Sequence, residues 1–304
     1  MPAKRTVLIT GCSDNGLGSA LALAFHKTGN FRVFATARNV SKLKNAVAAG
    51  MEIIQLDTLS DASIAAAVAK VSELTGGSLD MLINNAGAGY SMPVTDMDLS
   101  EAKRLFDLNV WSPIIVSRAF IPLLMRSTAN GADSTGILVN NTSVASLVAG
   151  SLPLQGAYNA SKAAAASFTE AMRLELAPFG IQVVNLVTGS VNSNFHQNLP
   201  EVKLPKDSIY QIAAEAVVKK MEGGDAKEGG VPTEAWAASV VASLSKKRPT
   251  YWIWSGGFSR LVRIASLLPV GWADSIAKKM SALDVVEQKV KQQGGPASIA
   301  KKLS

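Results

Sequence analysis

Residues 10–18 read Thr-Gly-Cys-Ser-Asp-Asn-Gly-Leu-Gly. They lie between the apolar run Val7-Leu8-Ile9 and the helix-forming stretch Ser19-Ala20-Leu21-Ala22-Leu23-Ala24-Phe25. A strand that ends at glycine and restarts as a helix leaves backbone N–H groups at the turn without partners, and such groups suit an anion. Gly11, Gly16 and Gly18 would let the chain turn tightly, approach a pyrophosphate and pack the helix close on a sheet. The pattern is also met in plain tight turns, so its meaning is decided by residues further along the chain.

Short apolar runs alternate with helical patterns from there onward. Strands are expected at 7–10, 32–36, 52–56, 81–84, 137–141, 182–187 and 251–254, and helices near 18–28, 63–74, 99–125, 158–177 and 209–221. Runs such as VLIT and VVNLV are apolar throughout, as strands covered on both faces are. Alternating strands and helices imply right-handed crossovers, and so an α/β fold: a Rossmann-type, doubly wound parallel sheet. The expected division is one domain over 1–256 and a helical extension over 257–304. Gly223 to Pro232 reads as a loop, and no internal repeat is visible. In such a fold ligands sit at the carboxyl ends of the strands. Those ends carry small and polar residues: the opening loop, Thr36 to Arg38, Asp57, Asn84 to Gly87, Asn140 to Ser143 and Thr188 to Ser193.

The totals narrow the classes. The chain has 304 residues, 48% apolar and 17% charged, a composition that excludes a disordered chain. The single cysteine, Cys12, excludes an internal disulfide and points to a reducing compartment. No run approaches the roughly 20 apolar residues of a membrane span. The first residues lead straight into a strand, without the pattern of a signal peptide. A cytoplasmic location follows as the expectation, with the periphery of an intracellular membrane or lipid droplet as an extension of it. The net charge of +7 is uneven: residues 246–304 hold eleven Lys/Arg against three acids, so +8, and the remainder is −1. No nucleic-acid-reading helix, aromatic RNA platform or zinc finger accompanies that excess. An anionic membrane surface or a phosphorylated substrate suits it better.

The second strand's end identifies the anion. A dinucleotide fold selecting NAD places Asp or Glu there for the ribose 2′-hydroxyl. This chain has Ala35-Thr36-Ala37-Arg38 with Lys42 beyond, so Arg38 would pair with a 2′-phosphate and the cofactor reads as NADPH/NADP+. A solvated surface arginine is the plain alternative. Asp57 would accept from an adenine amino group or cap its own turn. Cys12, inside the loop, reads as a small filler before a redox-sensitive thiol.

Tyr158-Asn159-Ala160-Ser161-Lys162 carries the chemistry. Positions i and i+4 share a helix face. A free phenol has a pKa of about 10 and is a poor acid or base near neutrality. A neighbouring ammonium is expected to lower that value. A surface pair is the ordinary reading of this spacing alone. Here it lies downstream of Asn141-Thr142-Ser143 and upstream of VVNLV.

Together, residues 10–18, Asn84-Asn85-Ala86-Gly87, Asn109, Ser143, Tyr158-xxx-Lys162 and 188–194 resemble the short-chain dehydrogenase/reductase superfamily, in order, from residue 6 to about 195. The Cys-Ser in the loop, Phe34-Ala35-Thr36-Ala37-Arg38, Val187-Thr188-Gly189 and the Trp-Ile-Trp near 252–254 are similar to its fungal 1-acyldihydroxyacetone-phosphate reductase-like branch. The resemblance implies that Tyr158 protonates the carbonyl oxygen, Ser143 hydrogen-bonds it, and Lys162 holds the nicotinamide ribose. It implies that Asn109 ties Lys162 to a relay water. Cofactor contacts are implied for Gly11, Ser13, Asn15, Gly16, Leu17 and Gly18, and for Thr36, Arg38, Lys42 and Asp57. They are implied also for Asn85, Ala86 and Gly87, and for Thr188, Gly189, Val191 and Ser193. Relatives assemble as homodimers or homotetramers through the helices expected at 99–125 and 158–177.

The chain departs from the family pattern in three places. Four residues separate Gly11 from Gly16, with Asn15 where glycine is frequent; Asn tolerates left-handed φ. The Ser143 to Tyr158 interval is long, which makes Thr142 and Ser146 alternatives to the serine. Thr188 stands where many relatives have proline. His26 and His196 read as packing or surface, and no ligand cluster suggests a metal.

The expected function is NADPH-dependent reduction of a ketone on a hydrophobic substrate, with Phe195, Leu199, Leu204 and Ile209 as an apolar lid. Acyldihydroxyacetone phosphate is the first substrate, a polyketide or terpenoid ketone the second, and a steroid-like ketone the third. An inactive NADP-binding scaffold or sensor is the alternative of another class. At the C-terminus, Phe258, Leu261, Val262, Ala265 and Leu268 mark one helical face with Arg260 and Arg263 opposite, and a second basic helix follows at 274–283. This segment either packs over the substrate cleft or in a dimer interface, or lies on a membrane.

Overall fold

The computed structural model describes residues 4–127, 135–195, 202–223 and 229–303. His196 and Leu199 lie outside them.

Seven strands form one all-parallel sheet: β1 (Arg5–Ile9), β2 (Phe31–Ala37), β3 (Glu52–Gln55), β4 (Met81–Asn84), β5 (Gly136–Asn141), β6 (Ile181–Thr188) and β9 (Trp252–Ser255), in the order β3-β2-β1-β4-β5-β6-β9. Two short strands, β7 (Val191–Asn192) and β8 (Val231–Pro232), pair separately beside it. The strands alternate between two apolar layers, as the period of two requires. Val7, Ile9, Met81, Ile83, Ile137 and Val139 face a layer closed by α1 (Leu17–Lys27) and α8 (Thr233–Leu244), through Leu21, Phe25, Trp236 and Val240. Leu8, Phe34, Leu82, Leu138 and Val183 face the opposite layer, closed by α3 (Asp61–Thr75) and α5 (Ser112–Leu124) with Ile64, Val71, Val116 and Phe120. Strand order reverses between β1 and β4, and a crevice opens at such a switch point.

The expected helix at 99–125 is split. It runs as α4 (Leu99–Phe106), a π turn over Asp107–Trp111, and α5. Asn109 sits within the π turn. Its amide closes a ring with Ala88: Nδ2 donates to the Ala88 carbonyl at 3.0 Å, and the Ala88 N–H donates to Oδ1 at 3.0 Å. The helix expected at 209–221 opens as a 3-10 turn, Ile209–Ala213, before α7 (Ala214–Met221). Helices α2 (Lys44–Ala48) and α8 have no counterpart in the sequence reading. The helix expected at 158–177 is α6 (Gly156–Glu175).

The C-terminal segment folds into α9 (Ser259–Ala265), α10 (Asp274–Met280), α11 (Leu283–Gln292) and α12 (Pro296–Leu303). Of the expected apolar face only Val262 is buried, while Leu261 remains 60% exposed. Val285 and Val286 of α11 pack with Leu154, Leu204, Val217 and Met221. No described helix is long and apolar enough to cross a membrane.

Candidate active site

The carboxyl ends of the strands open into one groove of about 1870 Å3. Gly11 turns the chain out of β1 with φ +72°, where a Cβ would come within 2.9 Å of the Ala86 Cα. Asn15 adopts φ +63°, the left-handed conformation its side chain tolerates. Gly18 packs so closely that a Cβ would stand 2.6 Å from Asn85 Nδ2 and collide with the Gly11 carbonyl. Helix α1 therefore begins against the strand ends, with Gly16 at its cap and no acid in its first turn. Asp14 braces the loop from behind: its carboxylate accepts from the N–H groups of Lys44 and Asn45 at 2.9 and 3.0 Å.

Gly11, Ser13, Asn15, Gly16 and Leu17 line the groove, followed by Arg38, Lys42 and Asp57, then Asn85, Ala86 and Gly87. Arg38 and Lys42 are exposed, and neither has an acidic partner among the described residues. One Asp57 oxygen caps its own turn, accepting from the Leu59 N–H at 3.1 Å. Thr36 and Gly18 do not reach the groove. Thr36 is fully buried and its hydroxyl donates to the Ile9 carbonyl at 3.0 Å, a bond between β2 and β1. Cys12 is likewise sealed in; burial pushes its thiol up to about 12, a value that fits a filler and not a redox-sensitive thiolate.

Tyr158 and Lys162 project from the first turns of α6 and line the same groove with Ser143. The Ser143 side chain stands beside the Tyr158 hydroxyl and acts to lower its pKa. Both alternatives to this serine are engaged elsewhere: Thr142 donates to Asn185 Oδ1 at 2.5 Å, and Ser146 donates to the Ser143 carbonyl at 2.6 Å. Lys162 is buried and donates to the Asn141 main-chain oxygen at 3.1 Å. Burial pushes its ammonium down to about 8.

The expected lowering of the Tyr158 pKa is not found in the protein alone. Burial raises it, and Ser143 offsets this only in part. Lys162 Nζ stands 6.0 Å from the centre of the Tyr158 ring, and its bond goes to Asn141. Asn109 lies behind the groove wall. Its Nδ2 reaches Ser161 Oγ at 3.0 Å, and Ser161 in turn donates to the Tyr158 carbonyl at 2.7 Å. The asparagine thus holds the first turn of α6 by its side chain.

Thr188, Gly189, Val191 and Ser193 form the far wall, and Phe195 covers Tyr158 with ring centres 5.8 Å apart. Leu204 of the expected lid is buried in the cluster under α11, whereas Ile209 is 47% exposed. The apolar end of the groove holds Phe258 and Leu261, from the segment offered above as a cover for the cleft, together with Leu154, Met221, Ile276 and Met280, which the sequence reading did not assign to it. Three of these come from α9 and α10, so the C-terminal helices do reach the cleft. Asn141 was also missed as a site residue. Its place next to the strand-end Thr142-Ser143 pair is the signal that could have found it. Among the described residues no group of His, Cys, Asp and Glu could hold a metal ion.

The short chain dehydrogenase family model matches residues 5–203. A short-chain dehydrogenase/reductase of Pestalotiopsis microspora is 46% identical over 292 residues, 95% of this chain and 98% of that protein. The NADPH-dependent 1-acyldihydroxyacetone phosphate reductase of Schizosaccharomyces pombe is 36% identical over 285 residues, covering 89% of this chain and 92% of the relative. Among solved structures, a short-chain dehydrogenase from Streptomyces avermitilis superposes with a TM-score of 0.72 at 26% identity, over 95% of this chain and 98% of that one. The seven-stranded sheet, the glycine turn and the Tyr158–Lys162 pair thus sit in a chain that matches named relatives over nearly its whole length, and this protein belongs to the short-chain dehydrogenase/reductase family.

Proposed function

We propose that the chain reduces a ketone on a hydrophobic substrate to a secondary alcohol with NADPH. The observation that carries this reading is the convergence of Tyr158, Ser143 and Lys162 on a groove that is cationic at one end and apolar at the other. The residues fit the dinucleotide. Gly18 lets α1 pack against Gly11 and Asn85 at the strand ends, the α1 N-terminus suits a pyrophosphate, and Arg38 and Lys42 at the groove suit a 2′-phosphate. The NADP complex of a Burkholderia cenocepacia short-chain dehydrogenase, whose chain is 21% identical with a TM-score of 0.67, shares this fold.

Bound NADPH supplies a hydride to the carbonyl carbon. The carbonyl oxygen then becomes an alkoxide, a far stronger base than a phenolate, and takes the proton from Tyr158. The raised Tyr158 pKa keeps that proton in place at neutral pH, as an acid in the reducing direction requires. Ser143 orients the same oxygen by hydrogen bonding. Lys162, held by the Asn141 carbonyl at the groove, would hold the nicotinamide ribose. Ser161 and Asn109 hold the helix turn that presents Tyr158. An inactive scaffold would have no use for this complete set.

Acyldihydroxyacetone phosphate is the first substrate proposed. The Schizosaccharomyces pombe relative supports it, as does Lys279 beside apolar Leu261, Ile276 and Met280 in the groove: a cation next to a greasy wall suits an acyl chain with a phosphate. A polyketide or terpenoid ketone is the alternative. NADPH consumption with each decides between them: turnover of the acyl phosphate supports the first, and turnover of the uncharged ketones alone moves the chain to the second. We further propose homodimers or homotetramers through the α4–α5 segment and α6. Trp111 in the π turn and Phe168 in α6 are 46% and 39% exposed, with ring centres 5.8 Å apart.

A further inference from the structure

The rim of the groove carries an apolar surface that the reduction itself does not use. Leu261, Trp272, Ile276 and Met280 line the groove and are still 60, 62, 54 and 47% exposed. Beyond them, away from the groove, Ile264, Leu267 and Val270 stand 63, 84 and 88% exposed on the end of α9 and the turn into α10. Scattered apolar residues on a surface are ordinary, but so many gathered on one turn at a groove rim mark a contact surface.

We propose that this turn, residues 264–272, inserts into the interfacial layer of an anionic lipid bilayer, so that the groove opens directly onto the membrane. Two further observations select a lipid surface over a second protein. Residues 257–283 carry Arg260, Arg263, Lys278 and Lys279 against Asp274, with Lys278 paired to Glu287 of α11, within a tail of +8. Two such faces repel each other, whereas anionic headgroups attract both. A second copy seated on Leu261, Trp272 and Ile276 would also close the groove mouth. Trp272, at the boundary of the apolar turn and the basic α10, suits the headgroup level.

The inference stands apart from the identity of the ketone, since it needs no turnover to be tested. The full-length protein is floated with vesicles of phosphatidylcholine, and with vesicles containing a minority of phosphatidylserine. The Leu267→Glu/Val270→Glu double variant is floated beside it. Neither position lines the groove. The expected result is flotation of the wild type, stronger with the anionic vesicles, and a loss of about tenfold or more in the bound-to-free ratio of the variant. Unchanged melting temperature and NADPH binding in the variant exclude misfolding as the cause. Failure of the wild type to bind either vesicle overturns the proposal. Equal flotation of the variant overturns it as well, because binding would then be electrostatic and located elsewhere. Loss of a dimer in the variant, by light scattering, with no vesicle binding by the wild type would assign the patch to a second copy.

Discussion

The Thr188 hydroxyl donates to Asn141 Oδ1 at 2.6 Å, joining the end of β6 to the end of β5. The same asparagine donates through Nδ2 to Asn85 Oδ1 at 2.9 Å, and Asn85 Nδ2 donates to the Thr10 carbonyl at 2.9 Å. Four strand ends, β6, β5, β4 and β1, are thereby tied in a row beneath the groove. The main-chain oxygen of Asn141 receives Lys162. Thr188 is thus a donor that fixes the asparagine holding the lysine.

Thr188→Val keeps the shape and removes the donor. An unsatisfied acceptor costs about 1–3 kcal/mol, so kcat/KM is expected to fall about tenfold, with the pH dependence of Lys162 displaced. Thr188→Ser restores both. Steady-state kinetics across pH for the three proteins check this; a valine variant with wild-type kcat/KM and pH profile would show the row to be structural only.

Lys162 carries a stability cost. Its folded pKa of about 8 lies below the ordinary 10.5. Between those values the unfolded chain holds a proton that the folded chain has released, so stability rises with pH across that window. Below pH 8 the full cost of the buried charge is present. Lys162→Met removes that cost and leaves the Asn141 carbonyl unpaired, which returns part of it. The variant is expected to be more stable than the wild type by about 1–2 kcal/mol at pH 7, and inactive. The gap narrows toward pH 10. Denaturant titrations at the two pH values test this, and a variant less stable than the wild type at pH 7 contradicts it.

Arg38 is exposed at the groove with no acid beside it. Arg38→Ala is expected to raise the KM for NADPH about 10- to 100-fold by losing a charge-assisted pair. The KM for NADH should change little. Equal effects on both cofactors would place the 2′-phosphate elsewhere.

The sheet was legible in the sequence because each strand is a short apolar run that must be covered on both sides, and the glycine loop fixed where it begins. The pairing of Tyr158 with Ser143 was legible from the order of motifs. Other features depend on partners distant in the chain. The π turn at Asn109 is held by Ala88, and the role of Asn141 is defined by Asn85, Lys162 and Thr188, which no local pattern exposes. The C-terminal face was legible as apolar while its cover was not. Phe258, Leu261, Val262 and Ala265 line the groove, and Leu261 remains open to solvent at its rim. Periodicity states that a face is apolar, and leaves open what covers it.

The central claim is that the Tyr158 hydroxyl delivers the proton to a carbonyl reduced by NADPH. Tyr158→Phe removes that oxygen and keeps the ring against Phe195. NADPH binding by fluorescence titration and NADPH consumption with an acyldihydroxyacetone phosphate or an uncharged ketone are measured for both proteins. The account predicts unchanged NADPH affinity and a fall in kcat of about 100-fold or more; a phenylalanine variant that turns over at the wild-type rate would contradict it.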